Sequence, residues 1–119
     1  MRRDWDVIRN ILIKIENLET NTYLQLKNFP ESEHNKISHH IELLCDDNLI
    51  ECNIHKTTAG RPYDFHVSRL TWRGHEFLDS VRSDTVWSKT KEVFKNKGVD
   101  MGFNLIIATA QKIAGTLLS

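Results

Sequence analysis

Residues 37–51 read Ile-Ser-His-His-Ile-Glu-Leu-Leu-Cys-Asp-Asp-Asn-Leu-Ile-Glu and carry the clearest structural signal in the chain. Four apolar side chains in this segment recur at i, i+4, i+7 and i+8, the spacing of one face of an amphipathic helix. They are Ile37, Ile41, Leu44 and Cys45. Asn48 follows, and asparagine tolerates the left-handed conformation that ends helices. The segment therefore predicts a helix that ends near Asn48 and leads directly into a strand.

A helix that ends on Asn or Gly and runs straight into Leu-Ile-Glu resembles the recognition helix of a winged helix-turn-helix domain, followed by its wing. The strand is predicted over 49–56, and the return strand over 63–70 places Phe65 and Val67 on one face. The tip between them, 57–62, contains Gly and Pro, which are typical of a hairpin turn.

The segment before the central helix predicts one helix and one short strand. Asp4 caps a first helix that runs to about Glu19. Alternation over 23–29 predicts a strand, and Pro30 ends it. Ser32 is the predicted N-cap of the central helix.

Three more helices are predicted after the hairpin. Thr71 caps the third, whose buried face carries Phe77, Leu78 and Val81, and Ser83 or Asp84 caps a fourth that ends at Gly98. A fifth helix begins at Asp100 or Met101 and has a long apolar stripe. Such a stripe is most commonly buried against a second subunit. The predicted dimer interface consists of Phe103, Ile106, Ile107, Ala110 and Ile113, although packing on the chain's own core is an equally good explanation.

The predicted fold is a single α+β, winged helix-turn-helix-like domain over 1–119, mostly helical with a β-hairpin wing. Residues 84–119 form its helical C-terminal extension.

Three segments together resemble the bacterial and phage family known as domain of unknown function 2513. They are residues 2–12, residues 40–44, and residues 69–87 with the run Leu-Thr-Trp-x-Gly-His-Glu-Phe-Leu-Asp. The resemblance covers nearly the whole chain and implies a winged-helix-like fold, but no catalytic or binding residues. The sequence departs from the family pattern at Asn48, where Gly is more usual. Two shorter patterns, Leu70-Thr71-x-x-Gly74 and Gly60-Arg61-Pro62, are similar to the wing of bacterial transcription regulators.

Composition narrows the function classes. Lys plus Arg and Asp plus Glu number 16 each, so the formal net charge is zero and the chain lacks a general cationic field. Two cysteines are too few for a disulfide scaffold, and Cys45 is expected to act as a small apolar side chain. No signal peptide and no membrane-spanning segment is evident, so the predicted location is the cytoplasm.

Double-stranded DNA is the leading predicted partner. The exposed face of the central helix and the hairpin would contact it, with Arg2 and Arg3 as further phosphate contacts. The candidate nucleic-acid-binding residues are Asn35, Lys36, Ser38, His39, Lys56 and Arg61. Residues 32–48 contain one Lys against four carboxylates, however, and there is little room for the helix that normally precedes a recognition helix. The alternative is a protein-interaction module on the same scaffold.

Other chemistry has little support in the sequence. The six histidines and two cysteines show no Cys-x-x-Cys or His-x-x-x-His spacing, so no metal site is predicted. His40 is expected to be a hydrogen-bonded structural histidine. No phosphate-binding Gly loop or Gly-x-Ser-x-Gly motif occurs, so we expect no enzyme, no cofactor and no small-molecule ligand.

Overall fold

The structure is a computed structural model that describes residues 1–58 and 60–118. Over these residues it contains five α-helices and one two-stranded antiparallel sheet, an arrangement compatible with a winged helix followed by C-terminal helices. The predicted α+β class is thus confirmed. The helices are α1 Trp5–Glu16, α2 His34–Asp46, α3 Trp72–Val81, α4 Asp84–Lys97 and α5 Phe103–Leu118, and the strands are β1 Ile50–His55 and β2 Asp64–Leu70. None of the helices in the described part of the chain is long and apolar enough to cross a membrane.

The chain forms two compact units, Met1–His75 and Glu76–Ser119. In the first unit, α1 packs on α2 and β2, and α2 packs on both strands. Its core is built from the apolar stripes of the two helices and the inner face of the hairpin. The buried side chains include Ile8, Ile11, Leu12, Ile15, Ile37, Ile41, Leu44, Phe65 and Val67.

Local capping chemistry sets the ends of α1 and α2. The Asp4 carboxylate accepts hydrogen bonds from the backbone N–H groups of Asp6 and Val7, as predicted for an N-cap. The helix ends at Glu16 rather than Glu19. Asn48 is left-handed, with φ of 60°. The N–H of Asn48 donates to the carbonyl of Cys45, and the N–H of Leu49 donates to the carbonyl of Leu44. These two hydrogen bonds form a Schellman motif.

The predicted strand over 23–29 is wrong. Only Leu24 pairs with the hairpin, through two 3.0 Å bonds with the backbone of Val67. The next two backbone N–H groups donate to side chains and not to a strand. The N–H of Gln25 donates to Asn28 Oδ1, and the N–H of Leu26 donates to Asp64 Oδ1. Because these donors are satisfied without a strand partner, the chain turns into a 3₁₀ helix, Leu26–Asn28.

The predicted cap at Ser32 is also wrong. Ser32 lies inside a second 3₁₀ turn, Glu31–Glu33, which leads into α2 without a side-chain cap. The N–H of Glu33 donates to the carbonyl of Pro30, so the turn already satisfies a group that a capping side chain would otherwise bind.

Cys45 and Cys52 form a disulfide, which joins the last turn of α2 to β1. Their Cα atoms are 6.4 Å apart. The expectation that Cys45 acts only as an apolar thiol is therefore corrected, because the helix and the strand bring the two sulfur atoms together across Asn48.

The second unit consists mainly of α4 and α5, which pack on each other. Ser83 is the N-cap of α4, and Gly98, with φ of 63°, ends it as predicted. The fifth helix begins at Phe103, later than expected, because its first helical bond runs from the N–H of Ile106 to the carbonyl of Gly102. The Phe103 ring stacks on Phe77 with centroids 4.9 Å apart.

Candidate nucleic-acid interface

The exposed face of α2 and the tip of the hairpin enclose an open groove of about 220 Å³. We call it the helix–wing groove. Its lining residues are Asn35, Ser38, His39 and Glu42 from α2, with Thr58, Gly60, Arg61, Pro62 and Tyr63 from the tip. The structure thus brings together four of the six predicted site residues, three from α2 and one from the tip. Asn35, Ser38 and His39 lie on the helix, and Arg61 lies on the tip.

Asn35 and His39 supply the hydrogen-bonding groups of the helical wall. Asn35 is exposed and His39 is half-buried. The His39 Nε2 atom is buried and has no hydrogen-bond partner within the described residues. A buried polar atom without a partner is unfavourable, so a ligand or water that bonds to it stabilises the site.

Ser38 has a different role from the predicted one. Its side chain is buried and its hydroxyl donates to the backbone carbonyl of Tyr63 at 2.9 Å. This bond joins the middle of α2 to the base of the hairpin tip. Ser38 therefore holds the two walls of the groove together, and its hydroxyl proton is already engaged.

Lys36 is paired within the chain. Its ammonium lies 2.8 Å from the carboxylate of Asp4, at the start of α1. The hydrogen bond from Lys36 is the main cause that lowers the pKa of Asp4, and the same bond raises the pKa of Lys36. Both side chains are partly exposed, and surface pairs of this kind contribute little to stability. Lys36 lines no part of the groove, but a phosphate could displace its partner with little loss of stability.

His40 lies directly behind this ion pair and fixes the start of α1 against α2. It is fully buried, its Nε2 accepts a hydrogen bond from the N–H of Asp4 at 2.8 Å, and its Nδ1 lies 2.7 Å from the carbonyl of Lys36. These partners require the neutral ring with the proton on Nδ1. Burial is the main cause that lowers the pKa of His40. The prediction of a hydrogen-bonded structural histidine is confirmed.

Lys56 and Arg61 are exposed cations near the tip of the hairpin. Neither forms an ion pair with any described residue, so both are available to a ligand. Arg61 lines the groove and Lys56 does not. The tip is closed by a hydrogen bond from the Thr57 hydroxyl to the carbonyl of Arg61, 3.2 Å.

The surface around the groove is acidic. Residues 31–47 carry five carboxylates and one Lys. Of the carboxylates, Asp47 is paired with Arg73 at 3.1 Å, and Glu42 lines the groove itself. The groove therefore offers an amide, an imidazole, a carboxylate and a guanidinium, a set suited to hydrogen-bonded recognition more than to dense phosphate binding.

The predicted dimer stripe is partly used inside the chain. Ile106 and Ala110 are fully buried, and Phe103 is in contact with Phe77. Ile107 and Ile113 are half-buried. The homodimer stays a prediction, and its interface on α5 would consist of the side chains of this helix that are still exposed.

One side-chain cluster was not predicted from the sequence, the pair formed by His55 and His66. They lie on the two predicted strands, one on each side of the tip, and this signal could suggest the pair only once the register of the hairpin is known.

A family model and a known protein each match this chain over most of its length. The family model described as "Hypothetical protein (DUF2513)" matches residues 2–100. A protein from Haemophilus influenzae, described as "Uncharacterized protein", is 35% identical over 120 residues, which covers 100% of both chains. No solved structure matches the chain. The extent of these two matches shows that the chain belongs to the DUF2513 family.

Proposed function

We propose that this protein binds double-stranded DNA through the helix–wing groove and acts as a small regulator of transcription. The observation that carries the proposal is the groove itself, in which α2 and the hairpin tip present Asn35, His39 and Arg61 on one surface. Arginine pairs well with guanine and asparagine with adenine in the major groove, so these residue types suit base recognition.

The fold supports a rigid reading surface. Helix α2 has 13 residues, about 20 Å at 1.5 Å per residue, enough to lie along a major groove. His40 fixes its first half against α1, and the bond from Ser38 to Tyr63 fixes its distance from the hairpin. Because the two walls are joined in this way, binding requires little rearrangement of the protein.

Electrostatics limit the strength of such binding. Lys56 and Arg61 are free to contact phosphates, and Lys36 can join them by leaving Asp4. Each phosphate contact adds about −0.9 to the slope of log binding constant against log salt concentration. Two to three contacts therefore give a slope of roughly −2 to −3 for each chain. Such a weak electrostatic contribution favours a homodimer on two half-sites, separated by about 34 Å.

A second candidate is a protein-interaction module. The specific observation for it is Trp72 at the start of α3, which is 80% exposed. Tryptophan is among the residues most enriched at the energetic centres of protein interfaces. The acidic surface around α2 fits this candidate too.

Fluorescence anisotropy with a labelled random duplex, across a salt series, tests the first proposal. We expect measurable binding at low salt, and Arg61→Ala should weaken it for all sequences and reduce the slope by about one. Arg69→Ala is the matched control, because it removes the same charge from the hairpin at a residue paired with Glu51, outside the groove.

His39→Ala and Trp72→Ala separate the two candidates. If DNA is the ligand, His39→Ala should change the preferred sequence, because only base contacts carry sequence information, and Trp72→Ala should leave binding unchanged. No association of the wild type with any duplex at low salt would refute the DNA proposal and leave the interaction module.

A further inference from the structure

Two histidines meet on the outer face of the hairpin. His55 is the last residue of β1 and pairs with Asp64. His66 lies on β2 opposite Asn53, two pairs away along the ladder. This diagonal places both rings on the same face of the sheet. His55 Nε2 and His66 Nδ1 are 2.6 Å apart, and the ring planes cross at 87°.

A third side chain orients the second ring. The side-chain amide of Gln25 lies 2.6 Å from the other nitrogen of His66, Nε2. Gln25 is itself held in place, because its backbone N–H donates to Asn28 Oδ1 at 2.8 Å. Tyr23 packs edge-on against the His66 ring, with centroids 5.9 Å apart. Gln25 and Tyr23 therefore restrict the rotation of the His66 ring from the side opposite His55.

We propose that His55 and His66 bind a divalent transition-metal ion of the late first row, such as Zn²⁺ or Ni²⁺. His55 Nε2 and His66 Nδ1 are the ligands, and water fills the remaining coordination positions. Imidazole nitrogen is a preferred ligand of these ions. Two nitrogens that bind one ion at about 2.0–2.1 Å lie roughly 3 Å apart, so the exposed His55 ring has to rotate slightly and open its 2.6 Å contact with His66.

The proton balance of binding is simple. Without metal, one of the two facing nitrogens carries a proton and donates it to the other. With metal, both facing nitrogens present a lone pair to the ion, so the proton between them moves through solvent to the other nitrogen of the ring that held it, and His66 carries its proton on Nε2. The Gln25 amide then turns its carbonyl oxygen toward this N–H, which is the usual second partner of a metal-bound histidine. No proton is lost overall when both rings start neutral.

The strength of the site follows from its ligand count. Within residues 1–58 and 60–118, no group of three or more His, Cys, Asp or Glu side chains could hold a metal. With two protein ligands, the site should bind more weakly than a structural zinc site with four.

Isothermal titration calorimetry of the untagged full chain, first with ZnCl₂ and then with NiCl₂, tests the proposal. We expect saturable binding of one ion per chain, weakened at least tenfold by His55→Gln and by His66→Gln. His75→Gln is the matched control, because His75 is exposed and lies outside the hairpin, and it should bind as the wild type does. Circular dichroism of each variant without metal should show that the fold is kept.

Gln25 provides the test of orientation. Gln25→Leu should weaken the metal about 10–100-fold, because the His66 N–H loses its acceptor, whereas Gln25→Glu should keep or strengthen binding. The proposal is overturned if the wild type binds no ion saturably. It is equally overturned if the double variant of His55 and His66 binds with wild-type affinity, since the ion would then lie elsewhere.

Discussion

Replacement of His40 by leucine should destabilise the first unit strongly, although the two side chains are similar in size. His40 is fully buried and bonds to the N–H of Asp4 and to the carbonyl of Lys36. Leucine supplies neither a donor nor an acceptor. The Asp4 N–H then loses its acceptor, at a penalty of about 1–3 kcal/mol, and the bond to Lys36 contributes roughly 1 kcal/mol more. We expect a loss of about 2–4 kcal/mol in the free energy of unfolding.

Urea denaturation at pH 7.5, followed by circular dichroism, measures this loss as a lower midpoint. His75→Leu is the control, because His75 is exposed, and its midpoint should stay close to that of the wild type. A loss below about 0.5 kcal/mol for His40→Leu would refute the role assigned to His40, since that is the usual range of a neutral surface substitution.

The same histidine predicts a pH dependence with a definite sign. Burial lowers the pKa of His40 in the folded state below its ordinary 6.5. Between the two pKa values the unfolded chain binds a proton that the folded chain does not. Its contribution to stability is therefore complete above pH 6.5 and is lost as the pH falls below 6.5 toward the folded-state pKa. His40→Leu should abolish this part of the pH dependence, and an unchanged profile in the variant would contradict the argument.

Three further predictions concern the fold and its assembly. Gly74→Ala should destabilise the chain by about 3 kcal/mol or more, because the new Cβ would lie 2.1 Å from a backbone carbonyl oxygen. Gly115→Ala in α5 should stabilise it by about 0.5–1 kcal/mol, because among the described residues no atom outside the adjoining helix backbone lies within 4 Å of the new Cβ, and equal midpoints for the two variants would contradict this. Cys45→Ser should lower the free energy of unfolding by roughly 2 kcal/mol relative to the oxidised wild type, and thiol titration of the wild type under denaturing conditions should find no free thiol without reductant. Light scattering should show a dimer that Leu117→Glu weakens without unfolding the chain, because Leu117 is 50% exposed, and a wild-type monomer at high concentration would end the dimer prediction.

Features set by neighbouring residues were predictable from the sequence. Asp4, Asn48, Ser83 and Gly98 end or begin helices at the expected places, because the capping group and the backbone it serves lie within a few residues. The buried face of the hairpin followed from alternation for the same reason.

Features set by distant residues were not predictable. The 23–29 segment alternates like a strand, but Asp64, far along the chain, takes the Leu26 N–H. Helical periodicity predicted Ser38 and Lys36 on the candidate surface, and the structure places Ser38 in the wall of the groove and Lys36 outside it. It could not reveal that Ser38 bonds to Tyr63, or that Lys36 pairs with Asp4.

The candidate site shows the same division. Periodicity and the hairpin signal sufficed to bring Asn35, His39 and Arg61 to one groove. The His55–His66 pair needed the strand register, because a spacing of eleven residues has no meaning until the hairpin fixes which residues face each other.

Binding of double-stranded DNA in the helix–wing groove can be detected residue by residue through NMR chemical-shift mapping. A ¹⁵N-labelled sample is titrated with a random duplex at low salt, where electrostatic binding is strongest. If the groove binds DNA, the shifts should concentrate at Asn35, His39 and Arg61, and residues 103–118 should be unaffected apart from any dimer contact. An unchanged spectrum, or shifts that avoid the groove, would show that the groove does not bind DNA.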